Sequence, residues 1–111
     1  MDRFSIVIDR SDDRIDLVLN GEIDLAVADE LSTALDEAIA AARAVWLDFS
    51  GVDFIDSMGL RTLIKAVNNA ETSGVDLRLS AVSPPVSRVF DLAGVAELFP
   101  LAVETGRDDA S

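Results

Sequence analysis

The segment 50–60, SGVDFIDSMGL, holds the side chains whose types and spacing could support chemistry. Ser57 offers a hydroxyl, and Asp53 and Asp56 place two carboxylates shortly before it. Such a hydroxyl can act as a nucleophile if a base removes its proton, or it can accept a phosphoryl group from a kinase. Together with Asp48, the two carboxylates could also hold Mg²⁺.

The composition argues against a catalytic role for Ser57. The chain contains no histidine, no cysteine and no tyrosine, which excludes Ser-His-Asp triads, thiolate chemistry and the usual zinc sites. The Gly-x-Ser-x-Gly elbow of serine hydrolases is incomplete, because Ile55 occupies the position of its first glycine. Carboxylates at strand ends most often face solvent. We therefore expect no metal, no cofactor and no enzymatic activity.

The charge balance indicates a protein partner. The chain has 21 acidic and 9 basic residues, which give a formal net charge of −12. Affinity for nucleic acid depends on Lys and Arg, and anionic membrane surfaces attract basic segments, so we expect neither as a ligand. The sequence also lacks a signal-peptide pattern and an apolar run of the roughly 18 to 20 residues that a membrane span needs. We expect a cytoplasmic monomer.

The spacing of apolar residues predicts the elements that position segment 50–60. Alternating runs predict strands, and apolar residues at every third or fourth position predict helices. Asp24 is the expected N-cap of the first helix, and Asn20-Gly21 the expected end of the second strand. The predicted order is strands at 4–9 and 15–20, a helix at 24–42, a strand at 45–49, a helix ending near 73, a strand at 75–79, a helix at 84–93 and a possible strand at 101–103.

This order predicts an α/β domain with a mixed sheet of four to five strands and helices mainly on one face. In the first strand, Phe4, Ile6 and Ile8 are expected to share the face that packs on the core. At 111 residues the chain is long enough for one core and too short for two. We expect one domain over residues 1–104 and a polar, disordered tail over 105–111.

Ser57 lies at or beside the start of the second helix, where α/β folds often place functional groups. Free backbone N–H groups and the helix dipole would accept a phosphate there without unfolding the protein. A serine in this place is more often a simple N-cap, and the two roles can coexist. Gly59 costs about 1 kcal/mol of helix propensity relative to alanine, and its missing side chain could let a partner's backbone approach closely.

The segment 47–60, LDFSGVDFIDSMGL, closely resembles the signature of STAS domains, particularly of bacterial anti-sigma factor antagonists. In that signature an apolar-Asp-apolar strand and a short loop precede Asp-Ser-x-Gly-Leu at the start of a helix. Residues 21–24, GEID, resemble the family's start of the first helix. Residues 89–100, VFDLAGVAELFP, are similar to its closing helix and last strand. The resemblance covers roughly residues 4 to 103.

The resemblance implies a partner-switching role. In this family the unphosphorylated antagonist binds an anti-sigma factor that is also a serine kinase of the ATPase-kinase type, and the sigma factor is released. The kinase phosphorylates the motif serine, here Ser57, the complex dissociates, and a serine phosphatase restores it. Many relatives carry a second hydroxyl where this chain has Met58, so Ser57 is the only acceptor in the motif. The implied binding surface comprises Asp24, Leu25, Asp56, Ser57, Met58, Gly59 and Leu60.

A second interpretation stays open at this point. STAS-like domains also occur as scaffolds or transporter-associated binding modules, in which the serine is only a helix cap. The Asp-Ser-x-Gly-Leu motif favours the regulated class. A neighbouring gene for an anti-sigma kinase or a sigma factor would support that class, and lipid-transport genes would support the alternative.

Overall fold

A computed structural model describes residues 4–99 of the chain. The predicted strand at 101–103 and the predicted tail at 105–111 lie outside these residues. A 3₁₀ turn at Leu25–Val27 precedes the first helix, and another at Ala96–Leu98 follows the last. The strands are β1 (Phe4–Ser11), β2 (Arg14–Ile23), β3 (Ala44–Ile55) and β4 (Asp76–Val82), and the helices are α1 (Ala28–Ala41), α2 (Ser57–Ser73) and α3 (Pro84–Ala93).

The four strands form one mixed sheet in the order β1-β2-β3-β4. β1 and β2, the first two predicted strands, form an antiparallel hairpin linked by Asp12 and Asp13. β2, β3 and β4 run parallel. Their carboxyl ends therefore lie along one edge of the sheet, and α1, α2 and α3 all begin at that edge.

A single hydrophobic core lies between one face of the sheet and the three helices. The opposite face carries partly exposed residues such as Arg14, Trp46 and Arg78. The predicted α/β fold with helices on one face is therefore confirmed. Among residues 4–99, no helix is both long and apolar enough to cross a membrane. The buried strand residues alternate along the chain: Ile15, Leu17 and Leu19 in β2, Val45, Leu47 and Phe49 in β3, and Leu77 and Leu79 in β4.

The strands β2 and β3 are longer than the sequence predicted. The predicted loop after residue 49 is mostly strand, because pairing with β2 continues through two register irregularities to Ile55. Gly51 allows this continuation, since a Cβ on it would collide with the Asn20 side chain. The prediction that Asn20-Gly21 ends the second strand was wrong. Gly21, with a φ of 98°, lies beside a register irregularity in which Asp53 of β3 is the extra residue, and β2 runs on to Ile23.

The predicted apolar face of β1 is only partly covered. Phe4 and Ile6 pack against the core, as predicted. Ile8 lies opposite Leu17 and so faces the same side, but its side chain is 51% exposed. The reason is that β1 is an edge strand, and the core thins towards it.

Candidate functional site

The ends of β2 and β3 bring two distant parts of the sequence together. Ile23 pairs with Ile55 in parallel register, and the Asp56 N–H donates to the Ile23 carbonyl over 3.0 Å. Asp24 and Asp56, which follow these two strands, therefore lie beside each other where the helical segments begin. The residues from both sequence regions that the family resemblance implied thus meet at one edge of the sheet.

The Asp56 side chain links the starts of the two helical segments at this edge. Its Oδ1 accepts a hydrogen bond from the Gly59 N–H at 2.9 Å, which makes it the N-cap of α2. Its Oδ2 accepts from the Leu25 N–H at 3.3 Å and so ties the start of the first helical segment to the start of the second. The interpretation of Ser57 as the N-cap is therefore wrong, because the preceding carboxylate performs that function.

Ser57 is the first residue of α2, and its side chain is exposed. Among residues 4–99, the Ser57 hydroxyl has no hydrogen-bond partner. It also sits at the positive end of a 17-residue helix, where the first backbone N–H groups lack carbonyl partners within the helix. The hydroxyl is accessible to an enzyme, and a phosphate attached to it would find donors nearby.

Gly59 is buried, and the protein itself fills the space that its missing side chain leaves. A Cβ on Gly59 would lie 2.6 Å from Cγ2 of Ile23, 3.0 Å from the Ile23 carbonyl oxygen and 3.0 Å from Cγ1 of Ile55. The glycine therefore lets α2 pack directly on the ends of β2 and β3. The suggestion that it makes room for another molecule's backbone was wrong.

The remaining predicted site residues differ in exposure. Leu25 is exposed, and Met58 is half-buried. Leu60 is half-buried and packs partly on the core. Asp24 is half-buried and caps the 3₁₀ turn Leu25–Val27 through a 3.0 Å bond from the Ala26 N–H, so it precedes the first helix by one turn instead of capping it directly.

One exposed residue at this edge was missed in the sequence analysis. Phe54, the next-to-last residue of β3, has 50% of its side chain exposed. Its exposure follows once residues 54 and 55 are known to lie in a strand. Consecutive strand residues point to opposite faces, so Phe54 and Ile55 cannot both face the core. The structure buries Ile55 and leaves Phe54 outside.

The three aspartates considered for Mg²⁺ do not form a metal site within the described residues. Asp48 accepts hydrogen bonds from the Ser50 N–H at 2.8 Å and the Ser50 hydroxyl at 2.6 Å, which fixes the bulged part of β3. Asp56 is engaged in the two capping bonds. Their carboxylates serve local structure.

Comparison with known proteins gives consistent results. An anti-sigma F factor antagonist from Paenibacillus polymyxa is 28% identical over 85 residues, which cover 75% of this chain and 73% of that protein. The crystal structure of an anti-sigma factor antagonist from Mycobacterium paratuberculosis matches with a TM-score of 0.79 at 27% identity, covering 96% of this chain and 90% of that one. The Bacillus cell fate determinant SpoIIAA in its phosphorylated form shares the fold, with a TM-score of 0.71 at 20% identity and coverage of 96% and 98%.

The sequence model of one domain family spans nearly all of the chain. It matches residues 5–109, which include both strand ends, the Asp-Ser-x-Gly-Leu motif and the closing helix. The chain belongs to the STAS domain family.

Proposed function

We propose that this protein is an anti-sigma factor antagonist whose partner binding is controlled by phosphorylation of Ser57. The observation that carries the proposal is the exposed Ser57 hydroxyl, which stands at the start of α2 and is not needed as a cap because Asp56 fills that role. Relatives named anti-sigma factor antagonists support the proposal. The structure of SpoIIAA, a protein of the same fold, has been determined in a phosphorylated form.

The proposed partner is an anti-sigma factor of the ATPase-kinase type. It binds the protein while Ser57 is unmodified. It then phosphorylates that serine, and the complex dissociates. A serine phosphatase removes the phosphate and restores binding. In this role the protein is a cytoplasmic monomer without catalytic activity. It acts on transcription through its partner and does not touch DNA.

Phosphorylation would change the charge of the site far more than its shape. A phosphate adds about −1.5 to −2 charges at neutral pH, next to Asp56 and on a surface that loses water when a partner binds. An uncompensated charge in such a contact costs several kcal/mol, and a loss of only about 1.4 kcal/mol weakens binding tenfold. We therefore expect release by repulsion and desolvation, with the fold intact.

Amide NMR spectra of the phosphorylated and unmodified protein test this mechanism. The expected chemical-shift changes are confined to the start of α2 and its surroundings, about residues 53–65. Changes spread through the core strands would show that phosphorylation refolds the domain, which contradicts the mechanism.

The experiment that tests the proposed function is a pull-down from the source cell with four baits. The baits are the native protein, Ser57→Ala, Ser57→Glu and Ser73→Glu. Ser73 is an exposed serine at the opposite end of the same helix, roughly 24 Å away at 1.5 Å per residue. It therefore controls for the added negative charge.

The native, Ser57→Ala and Ser73→Glu baits should retain an anti-sigma factor of the ATPase-kinase type, and the Ser57→Glu bait should not. Equal retention of the same partners by all four baits would contradict phosphorylation control. The scaffold interpretation would then be the better one.

A further inference from the structure

Two large apolar side chains are left in solvent close to Ser57. Leu25 is 66% exposed and Phe54 is 50% exposed, and both belong to the segments that meet at Asp56. A Phe or Leu side chain gains roughly 1.5–3 kcal/mol on full burial, so leaving two of them outside gives up stability in the isolated domain. Exposed apolar surface next to a polar rim is typical of protein contact sites.

The fold fixes the backbone from which these two side chains project. The Leu25 N–H is bonded to Oδ2 of Asp56, and residue 25 opens a capped 3₁₀ turn. Phe54 lies within β3 and is paired with Glu22 of β2. Binding through them therefore needs little further ordering of the backbone, which favours their use as interface anchors.

The charge around these side chains is mainly negative. We define the Ser57 end as residues 22–30 and 52–60. These residues contain six acidic side chains and no lysine or arginine. A partner that covers this end therefore meets a mainly negative rim, in which the exposed Arg61, one helical turn after Ser57, is the nearest basic side chain along α2. The six acidic residues are Glu22, Asp24, Asp29, Glu30, Asp53 and Asp56.

We infer that Leu25 and Phe54 are the apolar anchors of the partner interface, and that the partner offers apolar pockets surrounded by lysine and arginine side chains. This inference rests on the proposed function and adds to it the chemistry of the surface that the anti-sigma factor must present. It assigns a binding role to Phe54, which lies outside the Asp-Ser-x-Gly-Leu motif.

A basic partner surface raises the question of why a phosphate on Ser57 would release it. Charges on a solvated rim act mainly on the association rate and are screened over about 8 Å at physiological salt. A charge buried without a partner at the centre of a contact weakens binding by roughly 30-fold or more. Ser57 directly follows Asp56, which bonds the Leu25 N–H, and comes three residues after Phe54. A phosphate on it would therefore fall within the contact, where the second effect is larger. The rim attracts the partner, and the phosphate prevents tight docking.

The test uses the anti-sigma factor recovered with the native bait, purified and titrated onto immobilised variants of the full chain. The variants are Leu25→Ser, Phe54→Ser and, as a matched control, Leu92→Ser. Leu92 lies in α3 and is 82% exposed, so the control removes the same kind of surface elsewhere. Substitutions at exposed positions leave the fold stable, which thermal unfolding of each variant checks.

We expect Phe54→Ser and Leu25→Ser each to weaken binding at least about tenfold, mainly through faster dissociation, and Leu92→Ser to bind like the native protein. The association rate should fall several-fold between about 50 and 300 mM salt. Native affinity in both anchor variants, or an equal loss in Leu92→Ser, overturns the anchor assignment. An association rate that does not depend on salt overturns the basic partner surface.

The outcomes separate this inference from the proposed function. If Ser57→Glu releases the partner while both anchor variants bind normally, the anchor assignment fails and the proposed function stands. If the native bait retains no anti-sigma factor of the ATPase-kinase type, both are overturned.

Discussion

The two ends of the sheet handle charge in different ways. The Ser57 end contains six acidic residues and no basic one, whereas the opposite end balances four arginines with four aspartates. We define the opposite end as residues 10–16, 43–46 and 76–78, where β2, β3 and β4 begin.

Two of the four arginines at the opposite end, Arg14 and Arg78, have partners within the chain. Arg14 forms an ion pair with Asp16 at 2.9 Å, and its guanidinium carbon lies 3.8 Å from the centroid of the Trp46 ring. Arg78 pairs with Asp76 at 2.8 Å. The single tryptophan is thus covered by a side chain of the same domain.

The difference between the ends supports the proposal that a partner binds at the Ser57 end. At the opposite end, Arg14 and Arg78 each pair with a neighbouring aspartate, and Arg14 covers the Trp46 ring. Part of the charge and aromatic surface there is thus already covered by the protein itself. At the Ser57 end, Asp56 and Gly59 fix the backbone, while Leu25 and Phe54 stay uncovered. A rigid backbone with unmatched side chains is the arrangement expected of a preorganised binding surface.

The largest loss of stability is expected when a side chain is added at Gly59. Gly59→Val would force a branched side chain against Ile23, whose Cγ2 lies 2.6 Å from the position of a Cβ. We expect the free energy of unfolding to fall by about 2–3 kcal/mol, measured by urea denaturation. Met58→Val, a half-buried position in the same turn, should change it by less than about 0.5 kcal/mol. Native stability in Gly59→Val would show that this close packing is not needed.

A smaller effect is expected when the link between the two helix starts is removed. Asp56→Ala loses the cap on Gly59 and the bond from the Leu25 N–H, which should cost about 1–2 kcal/mol of unfolding free energy. Asp53→Ala removes an exposed carboxylate three residues earlier and is the matched control. Asp56→Asn should keep much of the stability, because asparagine also caps helices. Equal urea midpoints for both alanine variants would contradict the capping role of Asp56.

The sequence was sufficient for the elements whose periodicity is local. The hairpin, the three helices and the one-sided core follow from alternating or three-to-four spacing of apolar residues. The length of β3 did not follow, because its extension depends on Gly51 approaching Asn20 across the sheet. Such a contact joins residues far apart in the sequence and leaves no periodic signal.

For the candidate site, the sequence located the segment but not the role of each residue. Asp56 and Ser57 are both good capping residues, so their order alone could not decide which of them caps α2. Gly59 could equally have faced a partner or the core, and only the packed position of Ile23 decides this. Consecutive Phe54 and Ile55 showed that one apolar side chain must be exposed, but not that it would stand near Ser57.

A substitution at the opposite end should have the smallest effect of the three on stability. Arg14→Ala removes the ion pair with Asp16 and uncovers the Trp46 ring, which together should cost about 1 kcal/mol of unfolding free energy. Trp46 is the only tryptophan, so its fluorescence reports both the loss of the covering guanidinium and the urea transition. Partner affinity should stay native, because every proposed contact lies at the other edge of the sheet. If Arg14→Ala weakened partner binding as much as Phe54→Ser, the contact would extend over the open face of the sheet. The proposal that the partner binds only at the Ser57 end would then be wrong.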